Sequence, residues 1–249
     1  MSGQPILQLD LGNSRLKWRL IAGGGDATDG GTVLGRGACA PDDDAWLTQP
    51  GTVAAVQVAS VAGDATEALL ARRARDHFGV EPWFARTAAQ CGDLVNSYAE
   101  PERMGVDRWL AMVAARARCR ERLCVVDAGS ALTIDLVAAD GRHEGGYIIP
   151  GTALMARSLL ADTDRVRFEE GRASSLAPGR STAACVHHGI ALAQAGSLQL
   201  ALSNAAAAAP PPRVFFTGGA GEALAEVSGV AGAFEADLVF HGLAIAARP

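Results

Sequence analysis

The sequence lacks the features that mark membrane-spanning and nucleic-acid-binding proteins. Its 249 residues contain no uninterrupted apolar stretch of the roughly 18 residues that a membrane span requires. The 22 lysines and arginines form no run and are outnumbered by 27 acidic residues, which excludes a continuous basic surface for nucleic acid. Charged residues also interrupt the first twenty positions, so we expect no signal-peptide core there.

Cysteine and histidine are scarce, with five of each. The cysteines form no C-x-x-C pair, and their odd number argues against a disulfide framework. The histidines are scattered, so no zinc site is predicted. These absences favour a reducing compartment, and we expect a cytoplasmic protein. What the chain does have is 49% hydrophobic and 20% charged residues, which is typical of an ordinary globular protein with one or two domains.

The first positive signal is an internal repeat. Residues 6–21 predict two strands joined by the turn D-L-G-N-S, which begins at Asp10, and residues 123–138 predict the same arrangement around D-A-G-S, which begins at Asp127. The two aspartates are 117 residues apart, close to half the chain. The repeat predicts a duplicated protein, with an N-terminal lobe over residues 1–119 and a C-terminal lobe over residues 120–249.

Strands alternate with helices along the rest of the chain. Residues 53–61 predict a strand, and residues 65–78 predict a helix that ends before Gly79. The spacing of apolar residues from Val106 to Ala117 predicts a second helix with Asp107 in its first turn. Further on we expect a hairpin around residues 140–141, helices opening at residues 151–160 and spanning 182–208, and a strand at 214–216. This alternation predicts an α/β fold.

The Asp-x-Gly turn has the composition of a phosphate-binding loop. Gly12 allows consecutive backbone N–H groups to point outward, Ser14 adds a hydroxyl donor, and Lys17 adds a positive charge. Asp10 is suited to hold a hydrated Mg²⁺ beside the phosphates. The same tripeptide also occurs in ordinary hairpins, and the second copy at Asp127 is what favours the functional interpretation.

Asp107 and Arg108 each have two interpretations. A carboxylate in the first turn of a helix is commonly a partner of the helix dipole, yet the same position suits a group that accepts a proton from a substrate hydroxyl. Arg108 is either a surface side chain or a clamp for a substrate carboxylate. The T-G-G segment at residues 217–219 is either a plain strand–helix turn or a place where a flat ligand such as adenine approaches the backbone.

Four segments, taken in order, resemble the type III pantothenate kinases, the family that also contains the Bvg accessory factor proteins. They are D-L-G-N-S-R-L-K from Asp10, G-V-D-R from Gly105, D-A-G-S-A-L-T-I-D from Asp127 and G-G-Y-I-I-P-G from Gly145. Weaker matches follow at residues 181–182 and 217–219. The resemblance implies the duplicated, two-lobed actin/sugar-kinase fold, which is ribonuclease H-like. Ser130 stands where the family usually has Thr, and we expect only a modest effect on nucleotide affinity.

The resemblance also implies a role for individual residues. ATP is bound, with Mg²⁺, by Asp10, Leu11, Gly12, Asn13, Ser14, Arg15, Leu16, Lys17 and Ser130. Asp107 is the proton acceptor, and the residues that contact pantothenate are Tyr98, Gly105, Val106, Asp107, Arg108 and Thr182. Asp127 binds a monovalent cation, K⁺ or NH₄⁺. The family is dimeric, so a homodimer with its substrate site near the subunit interface is expected.

The leading hypothesis is therefore ATP-dependent phosphorylation of pantothenate to 4′-phosphopantothenate, the first step of coenzyme A biosynthesis. One alternative is another small-molecule kinase of the same superfamily, against which only the residues assigned to pantothenate speak. A second alternative is a non-catalytic accessory or regulatory protein that keeps the fold. Loss of Asp10 or Asp107 would have favoured that reading, and both are present.

Overall fold

The computed structural model describes residues 3–23, 31–48, 52–162, 168 and 175–247. In this part of the chain the strands are β1 (Gly3–Leu11), β2 (Leu16–Gly23), β3 (Val33–Cys39), β4 (Ala55–Ser60), β5 (Trp83–Phe84), β6 (Gln90–Cys91), β7 (Leu94–Val95), β8 (Leu123–Ala128), β9 (Ala131–Val137), β10 (His143–Pro150), β11 (Arg213–Thr217) and β12 (Ala233–Phe234). The α-helices are α1 (Asp64–Phe78), α2 (Val106–Arg118), α3 (Thr152–Asp162), α4 (Thr182–Ala208), α5 (Gly221–Ser228) and α6 (Leu238–Ala246). None of the described helices has the length and apolar character needed to cross a bilayer.

The described residues form two compact units. Unit 1 contains the chain up to Arg118 together with the residues from Asp237 onward, and unit 2 contains Cys119–Ala236. The predicted lobes, residues 1–119 and 120–249, stay a prediction, but the contacts assign the C-terminal helix α6 to the first unit and not to the second. The physical reason is that α6 is strongly apolar and packs on α2 of unit 1.

Unit 1 is built on a five-stranded sheet in the order β3-β2-β1-β4-β5. The β1–β2 and β2–β3 pairs are antiparallel, and the β1–β4 and β4–β5 pairs are parallel. The predicted hairpin over residues 6–21 and the predicted strand over residues 53–61 are confirmed. Strand β3 was not predicted, because its V-L-G-R-G-A-C sequence is interrupted by glycine and alternates weakly.

The helices of unit 1 follow from local sequence signals. Helix α1 ends at Gly79, which adopts the left-handed conformation with φ of 68° and donates its N–H to the carbonyl of Arg75. Helix α2 has the predicted apolar face, and α6 packs closely against it. At the crossing a Cβ on Gly242 would overlap the backbone carbonyl of Leu110, so only glycine fits there.

A buried arginine connects α6 to the sheet of unit 1. The Arg19 Nε donates to Gln8 Oε1 at 2.7 Å, and its Nη1 donates to Asp237 Oδ2 at 3.3 Å. Its guanidinium also lies over the Phe240 ring at 5.1 Å. A buried charge is costly unless it is paired. These partners come from both ends of the chain, so they tie the C-terminal segment to the N-terminal sheet.

Unit 2 repeats the sheet of unit 1. Its strand order is β10-β9-β8-β11-β12, with antiparallel pairing on one side of the central strand and parallel pairing on the other. The predicted hairpins, the strand at residues 214–216 and the helices at residues 151–160 and 182–208 are confirmed. The identical order and pairing of the two sheets confirm the predicted duplicated α/β fold.

The edge of unit 2 is held by Arg122, which is itself buried. Its guanidinium binds Glu144 of β10, with 2.6 Å between Nη2 and Oε2. Its Nη1 donates to the carbonyls of Ala205 and Pro210 at 2.8 and 3.0 Å, respectively. These carbonyls lie in the last turn of α4 and just beyond its end, where Arg122 adds a side-chain donor to the backbone acceptors. Arg122 therefore joins the end of the long helix to an edge strand.

The connection that follows the last sheet strand differs in length between the two sheets. In unit 1, residues 85–105 form a twenty-one-residue connection between β5 and α2, and it contains the small hairpin β6–β7. After β12, the last strand of the second sheet, only residues 235–237, three residues, lead to α6, which packs in unit 1. The longer connection carries Tyr98 and leads into Gly105, so it holds part of the predicted substrate motif.

Candidate functional site

The first turn sits at the end of the central strand of unit 1. The Gly12 N–H donates to the Arg15 carbonyl at 3.0 Å and closes the turn, and Asn13, Ser14 and Arg15 are exposed at its tip. The carbonyl of Leu11 accepts from Val61 N–H at 3.1 Å, which fixes the strand end on its other side. The turn therefore presents its tip to solvent from a rigid base.

Asp10 and Lys17 are brought together by the register of this hairpin. They are paired directly across β1 and β2, so their side chains leave the sheet on the same face. The distance from Lys17 Nζ to Asp10 Oδ2 is 3.8 Å. The aspartate is the more enclosed of the two, with 18% of its side chain exposed against 44% for the lysine.

The environment of Asp10 disfavours the ionised form of its carboxyl. Burial raises the pKa of this carboxyl, the Lys17 ammonium lowers it, and the carboxylate of Asp107 raises it again, so that the pKa reaches about 6. Asp107 lies close enough to act on Asp10 electrostatically, which brings two of the predicted site residues together in unit 1. Two neighbouring carboxylates in a partly desolvated place attract a cation.

Asp107 is folded back over the start of α2. Its Oδ1 accepts the backbone N–H of Arg108 at 2.8 Å. A Cβ at position 105 would come within 2.6 Å of the same oxygen, so Gly105 is what makes room for the carboxylate. The helix begins with the bond from Trp109 N–H to the Gly105 carbonyl at 3.1 Å. The absence of a side chain at Gly105 and the position of the Asp107 carboxylate thus depend on each other. A negative charge is also favourable at the N-terminus of a helix.

Tyr98 and Arg108 are also brought together in unit 1. One guanidinium nitrogen of Arg108, Nη1, donates to the Tyr98 hydroxyl at 3.0 Å, and the guanidinium carbon lies 5.8 Å from the centre of the Tyr98 ring. Arg108 is buried and Tyr98 is half-buried. Sequence reasoning missed Asn96, whose side chain accepts the Tyr98 N–H at 2.9 Å. The signal was an Asn placed two residues before the tyrosine, the spacing of an Asx turn.

Three segments of unit 2 meet at the second turn. Gly129 N–H donates to the Ala131 carbonyl at 2.9 Å, which closes a tight hairpin with Ser130 exposed at its tip. Gly151 N–H donates to the Ser130 carbonyl at 3.1 Å. Gly218, with φ of 84°, lies so close that a Cβ would overlap Asp127 Oδ1. The motif at residues 145–151 and the weaker match at residues 217–219 therefore converge on the turn that starts at Asp127.

The two turns differ in the residue opposite the aspartate. The partner of Asp10 across the hairpin is Lys17, whereas the partner of Asp127 is Thr133. The second turn is one residue shorter, because Leu11 pairs with Leu16 while Ala128 pairs with Leu132. Thr133 is buried and neutral. The second turn accordingly has no basic side chain in the place where the first turn has one.

Asp135, which ends the second motif, belongs to the core of unit 2 and not to the turn. Its Oδ1 lies 3.1 Å from His143 Nε2, and the two side chains are 1% and 0% exposed. A buried carboxylate requires such a partner. The interaction links β9 to β10, so Asp135 has a structural role.

Thr182 lies in unit 2, whereas Tyr98 and residues 105–108 lie in unit 1. It is the first residue of α4, which Ser181 caps by accepting the Ala184 N–H at 3.1 Å. Thr182 borders an open groove of about 650 Å³ between α3 and α4. The other residues that line the groove are Met155, Ser158, Leu159, Cys185, Val186, Gly189, Ile190 and Ala193. The lining is mainly apolar.

The described residues contain no cluster of three or more His, Cys, Asp or Glu side chains that could enclose a metal ion. Asp10, with Asp107 nearby, fits the other common arrangement for Mg²⁺, in which one or two carboxylates share the ion with water and phosphate oxygens.

Comparison with known proteins gives a consistent result over most of the chain. The model of the type III pantothenate kinase family matches residues 6–203. The type III pantothenate kinase of Pseudomonas aeruginosa is 38% identical, and the match covers 97% of this chain and 98% of the relative. The type III pantothenate kinase of Hahella chejuensis is also 38% identical, with 97% of each chain covered.

Solved structures show the same fold at lower sequence identity. A Baf-family protein from Campylobacter jejuni aligns with a TM-score of 0.58 and 22% identity, over 95% of this chain and 94% of the other. A Sinorhizobium meliloti protein described as a 2-dehydro-3-deoxygalactonokinase aligns with a TM-score of 0.56 and 16% identity, over 98% and 96% of the two chains. At these identities the likeness concerns the fold alone.

The electrostatics of Asp10 give a prediction that carboxyl titration by NMR can test. Replacing Asp107 by Asn removes a neighbouring negative charge, so the pKa of Asp10 should fall from about 6. Replacing Lys17 by Met removes the positive charge and should raise that pKa. Asp140→Asn, in an exposed turn, is the control and should leave it unchanged. A pKa of Asp10 that ignores both neighbours would contradict the geometry.

The same shift predicts a pH-dependent stability. The pKa of Asp10 is higher in the folded state, about 6, than its ordinary value of 3.8, so the folded protein binds the extra proton between these values. Stability from this group is therefore complete below about pH 4 and is lost as the pH rises through about 6. Asp10→Asn should raise the free energy of unfolding by about 3 kcal/mol at alkaline pH but not in acid. An equal effect of the substitution at alkaline and at acidic pH would contradict this prediction.

Proposed function

This chain belongs to the type III pantothenate kinase family, and from that premise we propose which of its residues bind each substrate and which accept the proton. The reaction is phosphorylation of pantothenate by ATP, in coenzyme A biosynthesis. The observation that carries the assignment of roles is the arrangement in unit 1, where Asp107 acts on the carboxyl of Asp10 and Arg108 is held against Tyr98. One carboxylate belongs to the phosphate turn and the other to the acceptor motif.

On the acceptor side we assign Asp107 as the group that orients the pantothenate hydroxyl and accepts its proton. The backbone N–H of Arg108 holds Oδ1 at 2.8 Å, which fixes the carboxylate without neutralising it. Arg108 suits the substrate carboxylate, because a guanidinium binds carboxylates in a defined geometry. The remaining contacts are assigned to Tyr98, Gly105, Val106 and Thr182.

On the nucleotide side we assign the first turn, Asp10, Leu11, Gly12, Asn13, Ser14, Arg15, Leu16 and Lys17, and from the second turn Ser130. Backbone N–H groups at both turns and the Lys17 ammonium can neutralise phosphate oxygens, which is the main requirement of phosphoryl transfer. The divalent metal that accompanies ATP would be held by Asp10 and would supply further neutralisation of charge. Burial and the Asp107 carboxylate disfavour the ionised form of Asp10, and a bound cation would offset both effects.

For Asp127 we propose a monovalent cation, K⁺ or NH₄⁺. Two observations support it. The position opposite Asp127 is the neutral Thr133, where the first turn has Lys17. Moreover, Gly218 packs so closely that a Cβ there would overlap both the Asp127 carboxylate and the Ala128 carbonyl, so two oxygen atoms lie against the same glycine. A mobile cation would then supply the charge that the chain itself supplies at the first turn.

We further propose that the enzyme is a homodimer formed through unit 2. Apolar side chains are exposed on β10, an edge strand, and on α3 and α4; they are Tyr147, Ile148, Leu154, Leu159, Leu192 and Leu200. Exposed apolar surface and an unprotected edge strand are both typical of interaction surfaces. Thr182 borders the apolar groove in the same unit, so a dimer would bring its substrate contact near the subunit interface.

We place the reaction in the cytoplasm, in agreement with five cysteines that are all unpaired. Recovery of the enzyme outside the cytoplasmic fraction of its cells would contradict this.

The role of Asp107 predicts a large loss of turnover in Asp107→Asn. The substitution keeps the size of the side chain but removes the charge and the proton-accepting oxygen, so kcat should fall about 10²–10⁴-fold. ATP affinity should change little. The matched control is Asp64→Asn, another acid in the first turn of a helix, which should keep its kcat. If Asp107→Asn folds normally and retains more than about a third of kcat, the role passes to another group.

The cation proposal predicts that K⁺ or NH₄⁺ strongly stimulates turnover. Asp127→Asn should abolish this stimulation, because the carboxylate that attracts the ion is gone, while Asp140→Asn in the exposed turn of the same unit should preserve it. The measurement is initial rate against K⁺ concentration at constant ionic strength. Equal rates with and without K⁺ in the wild-type enzyme would remove the role assigned to Asp127.

The dimer proposal predicts a mass of about twice the 25.6 kDa chain by light scattering at micromolar concentration. Ile148→Lys, which puts a charge on the exposed edge strand, should yield monomers with reduced activity. Trp83→Lys is the control, since Trp83 is a similarly exposed apolar residue on an edge strand of unit 1. A fully active wild-type monomer would refute an interface-built substrate site.

A further inference from the structure

Asn96 is a buried polar side chain in the long connection of unit 1, and the assignment of roles above leaves it without one. Its Oδ1 accepts the Tyr98 N–H at 2.9 Å, which closes an Asx turn. Its Nδ2 donates to the carbonyl of Ala88 at 3.4 Å and lies 3.7 Å from Met104 Sδ. Asn96 therefore contacts the start, the middle and the end of the connection.

The contact with Met104 matters because Met104 directly precedes Gly105. The Met104 carbonyl accepts the Thr87 hydroxyl at 2.8 Å, so the backbone that enters the G-V-D-R motif is also held by the start of the connection. The Asn96 backbone N–H also donates to the Ala89 carbonyl at 2.9 Å. Hydrogen bonds thus join distant parts of the connection around the Asn96 side chain.

The contact with Tyr98 extends to Arg108. The backbone of Tyr98 is fixed by Asn96, and its hydroxyl accepts from Arg108 Nη1 at 3.0 Å. An arginine side chain has many rotamers, and restricting them before the ligand arrives removes an entropic cost from binding. A chain of two hydrogen bonds therefore runs from the Asn96 amide to the guanidinium assigned to the substrate.

We propose that Asn96 is a positioning residue for the acceptor substrate: it fixes Tyr98, and through the Tyr98 hydroxyl it holds the Arg108 guanidinium ready for a carboxylate. This inference rests on the proposed function, which assigns Tyr98 and Arg108 to pantothenate. Asn96 touches neither the substrate nor the nucleotide in this scheme. Its loss affects recognition of the acceptor and leaves the phosphate turns as they are.

The kinetic test compares Asn96→Ala with Asn96→Ser. Asn96→Ala removes the acceptor for the Tyr98 N–H, so the KM for pantothenate should rise about tenfold to a hundredfold while the KM for ATP stays unchanged. Asn96→Ser keeps a neutral oxygen that can accept the Tyr98 N–H, so it should retain a KM for pantothenate closer to that of the wild type. Equal damage in both variants, or an equal rise in both KM values, would mean that Asn96 has only a general structural role and would overturn the proposal.

Asp93→Ala is the matched control for loosening the same connection. Asp93 anchors the β6–β7 hairpin to α2 through Arg116, with 2.8 Å between Oδ2 and Nη2. This variant should lower the melting temperature without raising the KM for pantothenate. If it raises that KM as much as Asn96→Ala does, rigidity of the whole connection and not the Asn96 amide is what matters, and the proposal fails.

A direct structural readout is available because the chain has only two tyrosines, Tyr98 and Tyr147. Selective ¹⁵N-tyrosine labelling gives two amide signals, and Tyr147→Phe assigns them. In Asn96→Ala the Tyr98 amide should shift and exchange its hydrogen faster, while the Tyr147 amide serves as an internal reference and stays unchanged. An unchanged Tyr98 amide would overturn the proposal at its first step, whatever the kinetics.

Tyr98→Phe separates failure of this inference from failure of the proposed function. If Tyr98→Phe alone raises the KM for pantothenate and adding Asn96→Ala raises it little further, the two residues act in one series, as proposed. If the two effects multiply, Asn96 acts independently of the Tyr98 hydroxyl, and the inference fails while the site stands. If Tyr98→Phe changes nothing, the assignment of Tyr98 to the substrate is wrong, and the inference falls with it.

Discussion

The arrangement of unit 1 depends on the register of the β1–β2 hairpin. Because side chains alternate between the two faces of a strand, a slip of one residue would turn Asp10 to the opposite face and separate it from Lys17. The pairing is held by a fully buried set of leucines on the same two strands, among them Leu7, Leu9, Leu11 and Leu16. The hydrophobic core thus fixes the charged pair, and the position of the turn and of the Asp10 carboxyl relative to Asp107 follows from that register.

This register places a carboxyl where its charge is poorly solvated, and the fold tolerates the cost. Residues at functional sites often reduce stability, because the property that serves the ligand is unfavourable in its absence. Under the proposed roles, the cation that accompanies ATP would offset the unfavourable burial of the Asp10 carboxylate. The second turn solves a similar problem differently, with a shorter loop, a neutral Thr133 and a backbone approach that only Gly218 permits.

The sequence was informative wherever a local pattern decided the outcome. The hairpins, the apolar period of α2 and the cap at Gly79 all depend on neighbours within a few residues, and they were predicted. The position of α6 in unit 1 was not, because an apolar helix does not encode which sheet it will cover. Contacts such as that of Gly218 with Asp127 join residues distant in sequence, and no single-sequence pattern reveals them. Asn96 was missed for the opposite reason, since an Asx turn is local but is common in loops that have no special role.

The unequal connections of the two units bear on how such an enzyme could change its substrate. The duplicated sheets have matching strand orders, but the G-V-D-R segment follows a twenty-one-residue connection, whereas only three residues follow the last strand of the other sheet. That connection is held together by its own hydrogen bonds and is joined to α2 by an ion pair. The sequence and the length of this connection could therefore change during evolution without altering either sheet hairpin. Under the proposed roles, Tyr98 and Gly105 belong to this connection, whereas Asp107 and Arg108 lie beyond it on α2. Exchange of residues 85–105 between relatives would therefore change the support of the acceptor residues and leave both sheet hairpins intact.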